Sequence, residues 1–266
     1  MRKIVYSLAF AALLWSCKPS ENVTSNVTKN EVEVQIDLNG IKDDKVMVTV
    51  VPPAIKSEKI TYHIPKIIPG TYSEDDYGKF LENVKAYDAK GNSLSVAKAD
   101  DNSWTISDAK KLAKLTYWVN DTYDIEGTHD IFSPAGSNIE AGKNIMLNTH
   151  AFVGYFKEFL DVPYQVNITH PATLWGATSM TDTDASDTKD IFNVSRYSEL
   201  VENPIMYSKP DYTTFTVNGM EILIAVYSPN GVVTAESITP EMKIMMTAQK
   251  NFLGKFNSTK KNSVLI

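Results

Sequence analysis

The sequence predicts a mainly β protein: an antiparallel sandwich or saddle over most of its length, then a hairpin and a helix of different character. Three observations carry this reading. Apolar and polar residues alternate over many short stretches, the period-two signature of strands with one wet face. Gly, Pro, Asn and Asp interrupt those stretches at close intervals, which suits sheet meanders better than long helices. Helical periodicity is concentrated near the C-terminus, and no internal repeat is present. The 266 residues are 43% hydrophobic and 22% charged, an ordinary globular balance with enough chain for sizeable cores.

The N-terminus carries a targeting signal. Arg2 and Lys3 precede twelve mostly apolar residues, Ile4 to Trp15, too few to span a bilayer as a helix. Leu14-Trp15-Ser16-Cys17 resembles the lipobox of bacterial lipoproteins, in which the cysteine thiol is acylated and becomes the first mature residue. An ordinary cleavage near Ala9-Phe10-Ala11 would shorten the apolar core too far. The expectation is a signal peptide over 1–16, lipid attachment at Cys17 and a polar tether over 17–30. The partner so implied is a membrane, and the location the bacterial cell envelope. Lys18 after the cysteine does not suggest retention at the inner membrane. Net charge is −6 for the chain and −8 without Arg2 and Lys3 (24 basic, 32 acidic), with no basic block, which argues against nucleic acid. Cys17 is the single cysteine, so no disulfide can stabilise the fold and burial must do so.

Order is expected from Glu31. Val32, Val34, Ile36 and Leu38 alternate with polar residues as a first strand, and 46–51 forms a second, stopped by Pro52-Pro53. Strands over 83–89 and 93–97 flank the turn Lys90-Gly91-Asn92; 103–106 and 112–119 follow. Residues 162–168 alternate again, with Pro163 placing that strand's start there or the strand at an edge. Phe152, Phe156 and Phe159 have a spacing that suits a short helix over 151–160. After residue 200 the pattern changes. Strands over 212–217 and 220–227 flank Asn218-Gly219, a strong hairpin signal. Ile222 to Tyr227 is apolar on both faces and belongs inside a sheet. Pro240 behind Thr239 marks a helix start, with Met242, Met245, Met246, Phe252, Leu253 and Phe256 as one apolar stripe. Residues 263–266 open a further strand, where an apolar end suggests a chain cut short.

Several separated blocks carry a resemblance. They are Ile64-Pro65-Lys66-Ile67-Ile68-Pro69-Gly70-Thr71-Tyr72, then Asp76-Tyr77-Gly78-Lys79, then Val84-Lys85-Ala86-Tyr87-Asp88-Ala89-Lys90-Gly91. Trp104, Thr116-Tyr117 and Tyr197-Ser198-Glu199-Leu200-Val201-Glu202-Asn203-Pro204-Ile205 continue the series. Together these resemble the N-terminal half of the PDZ-containing glycyl aminopeptidases, family sixty-one of the metallopeptidases. The resemblance implies a β-sandwich N-terminal domain over 31–204 and, over 205–266, the start of an incomplete thermolysin-like α/β domain. It also implies a zinc site built on H-E-x-x-H, where the i, i+4 spacing puts both imidazoles on one helix face. His63, His129, His150 and His170 are the histidines; none is followed by Glu, and none has a second His four residues on. Zinc is therefore expected only beyond residue 266, with the catalytic and PDZ domains as partners and no catalytic or metal residue within this chain.

Asp182, Asp184, Asp187 and Asp190 lack the Gly and Glu positions of a calcium loop and read as a solvated acidic turn. Glu74-Asp75-Asp76 reads as a polar turn. By topological analogy with related zinc aminopeptidases, Asn148 or His150 is the candidate to face the substrate's amine, against the plainer reading of a packed histidine. Two functions compete: a non-catalytic, substrate-side portion of a lipoprotein aminopeptidase, or a free-standing surface lipoprotein binding a peptide or glycan.

Overall fold

The computed structural model describes residues 30–71, 73–123, 131–254 and 259–266. The expected signal, Cys17 and nearly all of the expected tether lie outside the described residues, as do Tyr72, His129 and Phe256. The expected mainly β architecture is what the chain adopts.

A seven-stranded sheet forms one layer, in the order β14 (Lys189–Val194), β12 (Tyr164–Thr169), β1 (Val32–Lys42), β2 (Lys45–Val51), β8 (Leu112–Asn120), β4 (Leu81–Asp88), β5 (Ser93–Leu94). Its strands alternate as the sequence predicts: Val46, Val48 and Val50 are buried while Met47, Thr49 and Val51 are only partly so. A four-stranded sheet packs against it, in the order β11 (Tyr155–Phe156), β3 (Lys59–His63), β7 (Ser103–Ser107), β6 (Val96–Asp100). A second four-stranded sheet follows the order β13 (Trp175–Ala177), β15 (Ile205–Ser208), β10 (Asn144–Leu147), β9 (Asn138–Glu140). One continuous apolar core joins these three sheets.

Several elements differ from the sequence expectation. Residues 93–97 are not one strand: β5 pairs with β4, and after Ser95 the chain crosses to the other sheet as β6. The expected helix over 151–160 is broken into α1 (Thr149–Phe152), β11 and a single 3-10 turn, Lys157–Phe159. Gly154 explains the break. A Cβ there would sit 2.1 Å from the His63 carbonyl oxygen, so the chain passes directly over β3 instead of coiling. The sheet is not purely antiparallel either, since β12 returns alongside β1 in parallel register. Pro163 does precede the first residue of β12, but the strand is internal, and Pro163 contributes its carbonyl to Val32 N–H.

The last part of the chain forms a three-stranded sheet, β16 (Tyr212–Val217), β17 (Met220–Ala225), β18 (Lys261–Leu265). Asn218 and Gly219 both have positive φ, 51° and 82°, as a tight I′ turn requires. Between β17 and its parallel neighbour β18 runs α3 (Ala235–Leu253). The helix begins five residues before Pro240, because Thr234 and Ser237 form a reciprocal capping box. Pro240 lies inside it, where its ring leaves the Glu236 carbonyl without the usual donor. Among the described residues of the apolar stripe only Met246 is buried; Met242 is partly so, and Met245, Phe252 and Leu253 are exposed, as is Ile244 beside them. The other face of this sheet packs on β13 and β15 through Leu223, Ala225, Ala177 and Met206. β15 pairs with β10 and β13, so it stays with the N-terminal sheets, and the chain passes to the last sheet over 209–211. Among the described residues no helix is long and apolar enough to cross a membrane.

Candidate functional site

The segment containing Asn148 and His150 is held by an unusual number of buried polar contacts. The Asn148 side-chain amide donates to the carbonyls of Gly136 and, at 3.3 Å, Pro134. Thr149 Oγ1 donates to the Leu200 carbonyl at 2.7 Å. Three tyrosine hydroxyls from three elements then secure consecutive backbone groups. Tyr117 donates to the Phe152 carbonyl (2.8 Å), Tyr197 donates to the Val153 carbonyl (2.7 Å), and Gly154 N–H donates to Tyr62 (2.7 Å). Because the Tyr117 proton is committed to Phe152, the 2.7 Å contact between Tyr62 and Tyr117 must have Tyr62 as donor. The result is one directional chain: Gly154 N–H to Tyr62 O–H to Tyr117 O–H to the Phe152 carbonyl.

His150 projects from α1 into the fold and is 4% exposed. Its ring meets Tyr77 edge-on, with centroids 4.5 Å apart. Tyr77 in turn donates to Asp75 Oδ2 at 2.8 Å, and Ser73 donates to the other oxygen at 2.6 Å. Burial lowers the His150 pKa to about 4, outweighing a hydrogen bond with the Ala135 backbone and the charge of Asp75. The ring is neutral at physiological pH, and its Nε2 is buried without a hydrogen-bond partner. Asn148 is also buried, so both side chains chosen from the sequence point inward beneath the turn Ser133–Ala135. Tyr123 and Phe132, both nearly half exposed, flank that turn.

The carboxylate clusters have structural partners. Glu74 pairs with Lys66, and Asp76 with Lys79 and Asn102, but Asp75 is buried as the anchor of Tyr77. Asp182 accepts from the backbone of Asp184 and Ile191, and Asp184 from that of Ser186, as in ordinary polar turns. Asp190 instead turns inward to His170 and Tyr207. The described histidines have aromatic neighbours rather than a set of further metal-binding side chains. His63 stacks on Tyr155, His150 meets Tyr77 edge-on and His170 lies tilted against Tyr207, and among the described residues no three His, Cys, Asp or Glu side chains assemble to hold a metal.

A feature the local sequence pattern could not show is a cleft of about 1070 Å³ between the N-terminal sheets and the last sheet. Glu140 and Lys143 line it, with Leu174, Lys209 and Asp211, and Tyr227 just past the end of β17. Tyr227 donates to Glu140 across the seam at 2.8 Å.

The Peptidase M61 N-terminal domain family matches residues 33–209. The chain belongs to that peptidase family. An aminopeptidase N family protein from Idiomarina loihiensis shares the fold of this M61 chain with a TM-score of 0.74 at 15% identity, over 88% of the chain. The chain spans 42% of that protein's length. An M1 zinc metallopeptidase from Deinococcus radiodurans, solved with a Tyr-Ser-Ala substrate, aligns with a TM-score of 0.45 at 11% identity, over 88% of this chain and 55% of its own. No curated protein matches the sequence. Tyr117 and Tyr197, both within the blocks that carry the resemblance, are the rivets of the 148–154 segment.

Proposed function

We propose that this chain is the substrate-side, non-catalytic portion of a lipid-anchored M61 metallopeptidase, and that hydrolysis requires a zinc-bearing domain supplied by further chain. The observation that carries the reading is the family match over 33–209 in a chain spanning 42% of its structural neighbour. The sequence supports it, since H-E-x-x-H is absent. So does the exposed apolar side of α3, which has the character of a surface meant to be covered. Within this portion, His150 is the candidate substrate-side group through its unpartnered Nε2, a role that requires the turn 133–135, held by Asn148, to move aside and uncover it. Cys17 supplies the anchor, which places the protein at the bacterial envelope.

Two measurements test the parts separately. The purified chain is expected to bind no stoichiometric zinc and to release no amino acid from aminoacyl substrates. Zinc near one per chain with chelator-sensitive hydrolysis would overturn the non-catalytic reading. Cys17→Ala is expected to release the protein from the membrane fraction; a variant that still pellets with membranes would overturn the anchor.

A further inference from the structure

One wall of the 1070 Å³ cleft is made of two short connections, 171–174 and 209–211. Both hang from one buried cluster. His170 immediately precedes the first connection, Tyr207 lies two residues before the second, and Asp190 of β14 meets both side chains. Tyr207 donates its hydroxyl proton to Asp190 Oδ2, and His170 Nε2 stands 3.5 Å from the same oxygen. On the other side of the ring, Nδ1 is 3.1 Å from the Pro171 carbonyl oxygen, which can only accept, so Nδ1 carries a proton. Nε2 is buried without a hydrogen-bond partner, and the Asp190 carboxylate 3.5 Å away can also only accept. A neutral ring would aim the Nε2 lone pair at a negative oxygen. A doubly protonated ring satisfies both acceptors.

The cluster is also tightly walled. A Cβ on Gly176 of β13 would lie 2.8 Å from Asp190 Oδ2 and 2.9 Å from Tyr207 Cζ. The charged and titratable groups around the ring are Asp190 from β14 and Tyr207 from β15, with Asp182 acting on Tyr207. Lys189 next in sequence is turned to Asp184.

We propose that His170, as an imidazolium, is a pH-responsive clamp on the cleft wall. Protonated, it ties 171–174 to Asp190 and, through the shared carboxylate and Tyr207, to 209–211. Without that proton the first connection loses its tie and the wall loosens. Burial lowers the ring's proton affinity, but the Asp190 carboxylate facing Nε2 and the Pro171 carbonyl at Nδ1 outweigh this and raise the pKa above the ordinary histidine value. A raised folded value means that the clamp's stabilisation is complete below about pH 6.5, the unfolded value, and is lost as pH rises through the folded one.

The test uses the whole chain. Ring nitrogen shifts of His170, assigned by their loss in His170→Gln, are followed by NMR from pH 5 to 9. Hydrogen exchange over 172–175 and 209–211, corrected for intrinsic rates, is measured at pH 6 and 8.5. The expected result is a doubly protonated ring at pH 6 with a midpoint above 6.5, and protection of 172–175 that falls roughly tenfold at the higher pH. His170→Gln should show no such pH dependence, and Asp190→Asn should lower the His170 midpoint by about one unit. A midpoint at or below 6.5, pH-independent protection in the unmodified chain, or the same pH dependence in His170→Gln would each overturn the clamp. Should His170→Gln not fold, the Asp190→Asn midpoint decides: an unchanged value overturns it.

Discussion

Tyr62→Phe tests whether the hydroxyl chain beneath the 148–154 segment holds that segment in place. The substitution keeps the ring and its packing on Phe156, so no cavity forms. It removes one oxygen that accepts from Gly154 N–H at 2.7 Å and donates to Tyr117 at 2.7 Å. The lost bond to Tyr117 costs about 1 kcal/mol, and leaving the buried Gly154 N–H unsatisfied adds about 1–3 kcal/mol. The sum, roughly 2–4 kcal/mol, corresponds to a fall in Tm on the order of 5–15 °C for a domain of this size. Tyr117→Phe should cost less, about 1–2 kcal/mol, because it orphans a carbonyl with a second lone pair and a hydroxyl free to rotate. The double variant should fall short of the sum by about 1 kcal/mol, since the shared bond is lost in either single variant. Urea unfolding followed by circular dichroism gives all three values, with the m-value unchanged if only the folded state is affected. A Tyr62→Phe chain within about 0.5 kcal/mol of the parent, or full additivity in the double variant, would refute the directional chain.

Two further variants probe the same region. Gly154→Ala forces a Cβ to within 2.1 Å of the His63 carbonyl oxygen and 2.8 Å of Tyr62 Cζ, so the backbone must move; a loss of roughly 2–3 kcal/mol or more in urea unfolding is expected, and a neutral outcome would contradict the close approach. His150, neutral when folded with a pKa of about 4 against 6.5 unfolded, contributes stability that is fully present above pH 6.5 and lost as pH falls toward 4. On acidification from pH 7 to 4.5 the parent should therefore lose about 2–3 kcal/mol more than His150→Phe, which keeps an aromatic ring against Tyr77 but cannot titrate; equal losses would show that the ring is not held neutral by burial.

What the sequence determined by itself is what local chemistry dictates. The alternation in 32–38 and 46–51 could only suit a strand with one buried face, and Asn218-Gly219 could hardly be other than a hairpin turn. The separated blocks around Tyr77, Trp104, Tyr117 and Tyr197 are enough to indicate the family, and folding buries all four of these rings. Strands β3, β9, β10, β13 and β15 are only three to five residues long, too short for any alternation they carry to mark them as strands. β9 joins its sheet only through its short hairpin with β10, and for β3, β10, β13 and β15 the β character comes from a partner strand far away in sequence. The same holds for the parallel pairing of β1 with β12, and for the crossing from β5 to β6 after Ser95.

Only the tertiary structure decided the chemistry of individual side chains. Asp75 looked like part of a polar turn, and Asp190 like one carboxylate of an acidic loop; folding buries the first under Tyr77 and turns the second to His170 and Tyr207. The α3 start moved because a capping box at Thr234 outweighs a proline signal at position 240. In each case the physical reason is the same. Propensity and periodicity act between neighbours in the chain, whereas burial, charge and hydrogen-bond satisfaction depend on groups that only folding brings within reach.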